Sequence, residues 1–186
     1  MRVLLILLLG ITILSSIYYL EPQKLGKHNN STVQTITNHN NVQYRARNIC
    51  LQVTFESKPE LITAEIKGVK LEAYQGGKAD RTPYVLHSAL YSMHLAEPDA
   101  AQGLEDTASG ELTGFGGKLV YKKRTEIMGL SAIESQVIAK HQDKTFLRTT
   151  LNLILGNQPI TISMMEPDKS ASKSSVEKLR GYLSKC

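Results

Sequence analysis

The chain has 186 residues, a formal net charge of +5 at pH 7 and a sequence pI of about 9.1. The positive charge is concentrated at the start, because residues 1–46 hold four Lys and Arg against one acidic residue, whereas residues 47–186 hold 18 against 16. A nearly neutral domain with no tryptophan, few phenylalanines and no nucleic-acid motif argues against nucleic-acid binding. The second part is long enough for one domain with a hydrophobic core.

The first 20 residues predict a signal peptide or a signal anchor. Residues 3–20 carry no charge and are almost all apolar, and as a helix they would span roughly 27 Å of a bilayer core that is about 30 Å thick. Arg2 favours an N-terminus that stays in the cytoplasm, so the rest of the chain is expected to be exported. The sequence leaves two locations open: an inner-membrane anchor with a periplasmic or extracytoplasmic domain, or secretion after cleavage.

Residues 21–46 predict a disordered polar linker between this segment and the domain. Their composition is dominated by Asn, His, Thr, Gln and Ser. Such a tract buries too little apolar surface to offset the conformational entropy lost on folding. The predicted single domain therefore covers residues 47–186.

The first half of that domain predicts three strands and a helix. Alternating apolar residues place the strands at 48–56, 65–75 and 84–95. Asp99 has capping-box spacing to Gln102, and an apolar stripe recurs every four residues after it. The stripe consists of Ala100, Leu104, Ala108 and Leu112.

The second half predicts four strands and a terminal helix capped at Ser174. The strands lie at 118–127, 132–140, 145–155 and 160–165. Their connections are so short that they can only join antiparallel neighbours. The order βββ-α-ββββ-α predicts an α+β fold in which helices pack on one antiparallel sheet of six to seven strands.

The element order and several stretches resemble the PsbP-like α/β/α sandwich family over residues 48–184. The stretches are VTFESKPE, IKGVKLEAY, YVLHSALYSMHL, FGGKLVYKKRTEIMGLSAIESQV and FLRTTLNLILGNQPITISMM. The family motif F-P-x-x-P appears as Phe55-Glu-Ser-Lys-Pro59, without its first proline. The resemblance implies an α/β/α sandwich that binds other macromolecules rather than catalysing a reaction, and it carries over no site residue.

The chain has two cysteines, Cys50 near the start of the domain and Cys186 at its end. In an exported protein an even number of cysteines indicates a disulfide. Two separate thiols are the alternative, because the sequence does not fix the distance between the two Cα atoms.

Catalytic and metal-binding motifs are weak throughout the chain. His87 and His94 are seven residues apart on a predicted strand, so their side chains should point to opposite faces and cannot share a metal ion. Ser131 follows a Gly-x-Ser pattern, but Ile133 occupies the position of the second glycine of a nucleophile elbow. Cys50 lies in mid-strand with no nearby histidine. No motif indicates a cofactor.

The stretch ELTGFGGKLVYKKR (residues 111–124) combines glycines with a cluster of basic residues. A phosphate-binding loop is excluded because Leu112 and Leu119 replace required residues and because the predicted helix precedes the strand. Gly114 suits the left-handed position that follows a helix. The basic residues are Lys118, Lys122, Lys123 and Arg124. They either protect an edge strand from pairing or form a binding edge for an acidic protein or an anionic envelope polymer.

These features predict a non-catalytic envelope domain that acts as a binding or accessory module and reaches the membrane through its N-terminal helix. Two alternatives belong to other classes. One is a hydrolase with an unrecognised Ser/His/Asp site, for which His87 or His94 would have to lie within hydrogen-bond reach of both a hydroxyl and a carboxylate. The other is a passive structural protein of the envelope.

Overall fold

The computed structural model describes residues 33–66, 68–76, 85–92, 94–95, 100–115, 117–141, 144–167 and 172–186. Within these ranges the chain forms eleven strands and two helices. The strands are β1 (Gln34–Asn38), β2 (Asn41–Ala46), β3 (Ile49–Thr54), β4 (Glu60–Ile66), β5 (Val69–Gly76), β6 (Val85–Tyr91), β7 (Lys118–Ile127), β8 (Leu130–His141), β9 (Lys144–Leu155), β10 (Gln158–Pro167) and β11 (Leu183–Lys185). The helices are α1 (Ala100–Phe115) and α2 (Lys173–Gly181).

The strands form two antiparallel sheets. The four-stranded sheet has the order β1-β2-β3-β11, and the seven-stranded sheet has the order β4-β5-β6-β10-β9-β8-β7. Strands β7 to β10 follow one another as a meander, which confirms the antiparallel neighbours predicted from the short connections. The turns at Met128–Gly129 and Gly156–Asn157 have positive φ at both central residues, a geometry that matches the twist of a tight hairpin.

The two sheets pack face to face and share the main hydrophobic core. One cluster of buried side chains contains Val42 and Leu51 from the four-stranded sheet together with Leu153 and Ile162 from the seven-stranded sheet. The Tyr44 hydroxyl crosses this interface to hydrogen-bond Ser88 Oγ at 2.7 Å. Burial raises the pKa of Tyr44, so the phenol stays protonated. We call this side of the seven-stranded sheet its sheet face.

Helix α1 packs on the opposite side of the seven-stranded sheet, which we call the helix face. Leu104 and Ala108 of the predicted stripe are buried against Ile133 and Ile154. Their four-residue spacing places both side chains on one side of the helix, as the sequence predicts.

Helix α2 is fixed at its first residues by the sheet. The side-chain amide of Gln136 donates to the carbonyl oxygen of Ser172 at 2.8 Å and accepts from the backbone N–H of the same residue at 3.1 Å. The helix begins at Lys173 with Ser172 as its N-cap, two residues before the predicted cap at Ser174. Leu179 then reaches the main core.

The predicted α+β class and antiparallel pairing are confirmed, but the single sheet is wrong, since the predicted strand at 48–56 belongs to a second sheet as β3. The predicted order of layers is wrong as well. The sheet face is covered mainly by a second sheet rather than by a helix, so the described chain is mostly β. Within the described ranges six strands precede α1 instead of the predicted three. One reason is that the predicted strand at 65–75 is a hairpin of β4 and β5, which turns at Gly68 with a φ of 79°.

The predicted disordered linker over residues 21–46 is wrong for residues 34–46, which form β1 and β2. Val42, Tyr44 and Ala46 alternate with polar residues and are buried in the core, which stabilises this hairpin despite its polar composition. The anchor predicted over residues 1–20 and the linker up to residue 32 lie outside the described residues. Of the helices that the structure does describe, neither is long and apolar enough to cross a membrane.

The glycines between α1 and β7 have a different role from the predicted one. Helix α1 continues to Phe115, so Gly114 lies within the helix and does not follow it. Gly117 is required by a close approach, because a Cβ atom there would lie 2.6 Å from the carbonyl oxygen of Ile138. The chain passes from a helix into a strand, as expected from the failed phosphate-loop pattern.

Candidate functional site

The predicted basic residues lie on β7, an edge strand of the seven-stranded sheet. The cross-strand register places Lys122 and Arg124 on the helix face, whereas Lys123 lies on the sheet face opposite Glu134. Lys118 begins the strand and is exposed. The sequence therefore predicted the edge position correctly, and whether the edge binds a partner stays a prediction.

Two of the four basic side chains share one carboxylate. Arg124 Nε donates to Glu105 Oε1 of helix α1 at 2.7 Å, and Lys122 Nζ bonds the other oxygen of the same group. The hydrogen bonds from Lys122 and then from Arg124 lower the pKa of Glu105. Glu105 thus joins helix α1 to the sheet edge.

The edge keeps a positive excess after this pairing. Glu105 neutralises one of the two cations that it contacts, and 69% of the Arg124 side chain remains exposed. Among the described residues, Lys118 and Lys123 form no ion pair. Leu119, 38% exposed, adds an apolar side chain on the helix face of the same strand, opposite Val137. The surface offers cations, an apolar contact and the outward backbone groups of an edge strand.

A row of polar side chains crosses the helix face, and its four central members are buried. Register places six residues in one row across the sheet: Gln75, His87, Ser163, Thr150, Ser135 and Lys122. His87 is only 7% exposed, and its Nδ1 atom makes no hydrogen bond. Arg148, also buried, donates to Ser163 Oγ at 3.3 Å. The interior of this face is thus unusually polar.

Within the described residues, the row that contains His87 does not provide the relay that a serine hydrolase needs. Ser163 is its cross-strand neighbour, but the row contains no carboxylate that could orient the ring. Burial and then the charge of Arg148 lower the pKa of His87 to about 3. A base with so low a pKa takes a proton from a hydroxyl very poorly at neutral pH. His94 lies beyond the end of β6 and does not join the row.

The buried histidine makes the stability of the fold depend on pH. The folded pKa of His87 is lower than its ordinary value, so below pH about 6.5 the unfolded chain binds a proton that the folded chain does not. We expect stability that is complete above pH 6.5 and that falls by about 1.4 kcal/mol per pH unit below it, or about 2 kcal/mol between pH 7 and pH 5. Urea unfolding at both pH values measures the loss.

The matched variants separate His87 from the other titrating groups. His87→Gln should remove about 2 kcal/mol of the difference between pH 7 and pH 5. His39→Gln changes a residue in the β1–β2 turn that is exposed and should leave that difference in place. Equal pH dependence in His87→Gln and the wild type would show that His87 is protonated as easily in the folded chain as in the unfolded one.

Two acidic residues on the sheet face bind helix α2. Glu134 accepts from Arg180 Nε at 2.6 Å and from the Tyr121 hydroxyl at 3.3 Å. Burial and then the Glu134 carboxylate raise the pKa of Tyr121. Glu166 accepts from Ser175 Oγ at 2.6 Å. Both carboxylates accept hydrogen bonds from α2, and these bonds hold the helix against the sheet. We therefore interpret their role as structural rather than as acid-base chemistry.

The predicted disulfide between Cys50 and Cys186 is confirmed, with the two Cα atoms 5.4 Å apart. It joins β3 to the residue that follows β11, and the backbone N–H of Cys186 also donates to the Cys50 carbonyl oxygen at 3.4 Å. Within the described ranges no three His, Cys, Asp or Glu side chains converge to hold a metal ion.

Comparisons with known proteins do not assign a family. No family model and no curated protein matches the sequence. Among solved structures, the fold is similar to a crystal structure from Bacteroides thetaiotaomicron, with 12% sequence identity and a TM-score of 0.44. That match covers 73% of this chain and 45% of the other chain, so this protein spans less than half the length of the one it matches.

Sequence reasoning missed the polar row and the pairing at Glu105. The row takes one residue from each of six strands, and only the register of those strands shows that His87 and Ser163 are neighbours. Glu105 lies 17 residues before Lys122. The one available signal was the charge reversal between the acidic helix and the basic strand, which is the complementarity that the structure uses.

Proposed function

We propose that the protein is an exported binding domain that is held at the membrane by its N-terminal apolar segment and acts without catalysis of its own. The basic edge strand β7 is its contact surface. The observation that carries this proposal is the net positive charge of β7, which remains after Lys122 and Arg124 share Glu105. The disulfide supports export, because such bonds persist mainly in oxidising compartments.

The chemistry of the edge fits an acidic, extended polypeptide. An edge strand has outward N–H and C=O groups that can pair with another strand, and Leu119 offers an apolar contact beside them. Lysines on such an edge repel a second basic strand and attract an acidic one. An anionic polymer would use the charges but not the ladder of backbone hydrogen bonds. An acidic protein segment is therefore the favoured partner.

Photo-crosslinking of the full chain in its own membranes tests this surface. A photoreactive residue in place of the exposed Leu119 should give a defined protein adduct. Adding Lys118→Glu with Lys123→Glu should reduce that adduct about tenfold, since two lost charge contacts amount to roughly 1.4 kcal/mol. The matched control is Lys58→Glu with Lys144→Glu, which reverses two exposed lysines away from β7.

Three results would contradict the proposal. Equal loss of adduct in the control would mean that net charge matters rather than the β7 edge. An adduct that contains polysaccharide instead of protein would favour the anionic envelope polymer. A chain that gives no adduct from position 119 in intact membranes would count against β7 as a contact surface.

A further inference from the structure

The described chain has four sheet edges, and three of them are protected against pairing with a second copy of this chain. Strand β7 carries lysines, and β4 carries Glu60 and Glu65. Strand β11 is only three residues long and is followed by the disulfide. Short length and charge are the common means of keeping a sheet edge from pairing with another chain. The fourth edge, β1, carries no charge and is longer than β11.

Strand β1 has the sequence QTITN, with five residues and no charge. Ile36 lies at its centre and is 41% exposed on the outer side of the four-stranded sheet. Its cross-strand neighbour there is Gln43, which donates a hydrogen bond of 2.9 Å to Gln52 of β3. The exposed isoleucine therefore ends a row of uncharged, ordered side chains.

The start of β1 is held in place by a hydrogen bond from the residue that precedes it. The backbone N–H of Val33, immediately before the strand, donates to Gln158 Oε1 at 2.7 Å, and both residues are buried. Gln158 in turn donates to the carbonyl oxygen of Tyr91 at 3.0 Å. All five residues of β1 also pair with β2. A partner strand would meet an edge that is already ordered, so it would pay little of the entropy of ordering β1.

The sequence of β1 is close to a palindrome about Ile36. In an antiparallel pair of two β1 strands with a two-fold axis at Ile36, isoleucine faces isoleucine, Thr35 faces the partner's Thr37 and Gln34 faces the partner's Asn38. Every residue then meets one of its own chemical type, as a two-fold interface requires. Thr–Thr and amide pairs are favourable across strands, and no like charges oppose each other.

We infer that β1 pairs with β1 of a second copy of this chain, so that two four-stranded sheets join into one of eight strands. The inference does not depend on the β7 surface, which belongs to the other sheet. Two five-residue strands bury less than the roughly 1,000 Å² of a stable interface. Pairing is thus expected where copies share a membrane, which raises their effective concentration.

Cysteine crosslinking of the full chain in its membrane tests the register directly. In the two-fold pair, the Cα atoms of residue 36 in the two copies are about 4.5 to 5.5 Å apart, whereas those of residue 34 are about 13 Å apart at 3.3 Å per residue. Ile36→Cys should therefore give a disulfide-linked dimer under mild oxidation, at least fivefold more than Gln34→Cys. Both positions are exposed on the same side of the same strand, and the native cysteines are already bonded to each other.

The outcomes distinguish a second copy of this chain at β1 from random collision and from a different protein. Equal dimer from Ile36→Cys and Gln34→Cys indicates random collision and overturns the two-fold pairing. A monomeric Ile36→Cys chain, with thermal unfolding like that of the wild type, overturns it as well. A disulfide between position 36 and another protein identifies a different occupant. None of these results changes the β7 crosslinking experiment, so the two proposals can fail separately.

Discussion

Removal of the Cys50–Cys186 bond is expected to lower the free energy of unfolding by about 5 kcal/mol. The bond closes a loop with a sequence separation of 136 residues, which includes nearly all of the described domain. The loss follows from the entropy that the unfolded chain regains when so long a loop is opened. Because domains of this size are stable by roughly 5 to 15 kcal/mol, the change amounts to a third or more of the total.

Without the disulfide, strand β11 is expected to open before the rest of the domain unfolds. Strand β11 has three residues, and the register with β3 joins Leu183 to Val53 and Lys185 to Leu51. So short a strand has few backbone hydrogen bonds to hold it when the bond at Cys186 is absent. Amide hydrogen exchange should therefore accelerate in β11 before it does in the meander.

Guanidinium unfolding of Cys50→Ala with Cys186→Ala measures the effect, and the double variant avoids a free thiol. Reductant added to the wild type should give the same midpoint, and it should leave the double variant unchanged. A difference of less than about 1 kcal/mol between the two proteins would mean that the unfolded chain is already compact in this loop, because the entropic gain needs an expanded unfolded state.

The meander was predictable because its signals are local. Alternating residues, short connections and turn residues such as Gly129 and Gly156 all act within a few positions, and they place β7 to β10 almost correctly. The face of α1 was predictable for the same reason, since Leu104 and Ala108 are one helical turn apart. Local signals also exclude a phosphate-binding loop at residues 111–124.

The hairpin of β1 and β2 is hard to predict because the polar composition of its sequence obscures the alternating pattern. Residues 34–46 are polar overall, yet Val42, Tyr44 and Ala46 recur at every second position. A hairpin with one solvated face needs only this many apolar residues, because its other face remains in water. Without this hairpin, the predicted fold lacks the four-stranded sheet that covers the sheet face. The predicted α/β/α sandwich places a helix there instead.

The candidate sites also differ in whether local sequence signals or long-range packing determine them. The edge position of β7 follows from its own basic residues, so the sequence could indicate it. The neighbours of His87 depend on the register of strands that are distant in the chain, and the contact of Glu105 with Arg124 depends on where α1 crosses the sheet. Such long-range placement is decided by packing, and it has no signature in one short stretch of sequence.

Loss of the Arg180 guanidinium is expected to destabilise the fold by about 3 kcal/mol. The Glu134 side chain is 2% exposed, so Arg180→Ala leaves a buried carboxylate with the Tyr121 hydroxyl as its remaining hydrogen-bond donor. Removing one partner of a buried ion pair costs about 3 to 5 kcal/mol. We expect the lower end of that range, because 42% of the Arg180 side chain is exposed and water can partly replace it.

A control within the same helix distinguishes burial from charge. Lys173 and Glu177 form an exposed pair at 3.7 Å, and Lys173→Ala should lower the unfolding free energy by no more than about 0.5 kcal/mol. Replacing both members of the buried pair, as Glu134→Leu with Arg180→Leu, should restore most of the stability that Arg180→Ala loses, because no charge is then left unpaired. Urea unfolding of the four proteins completes the comparison. Equal losses of stability in Arg180→Ala and Lys173→Ala would mean that solvent reaches Glu134 readily. In that case α2 is held by the packing of Leu179 and by the hydrogen bonds between Gln136 and Ser172 rather than by the ion pair.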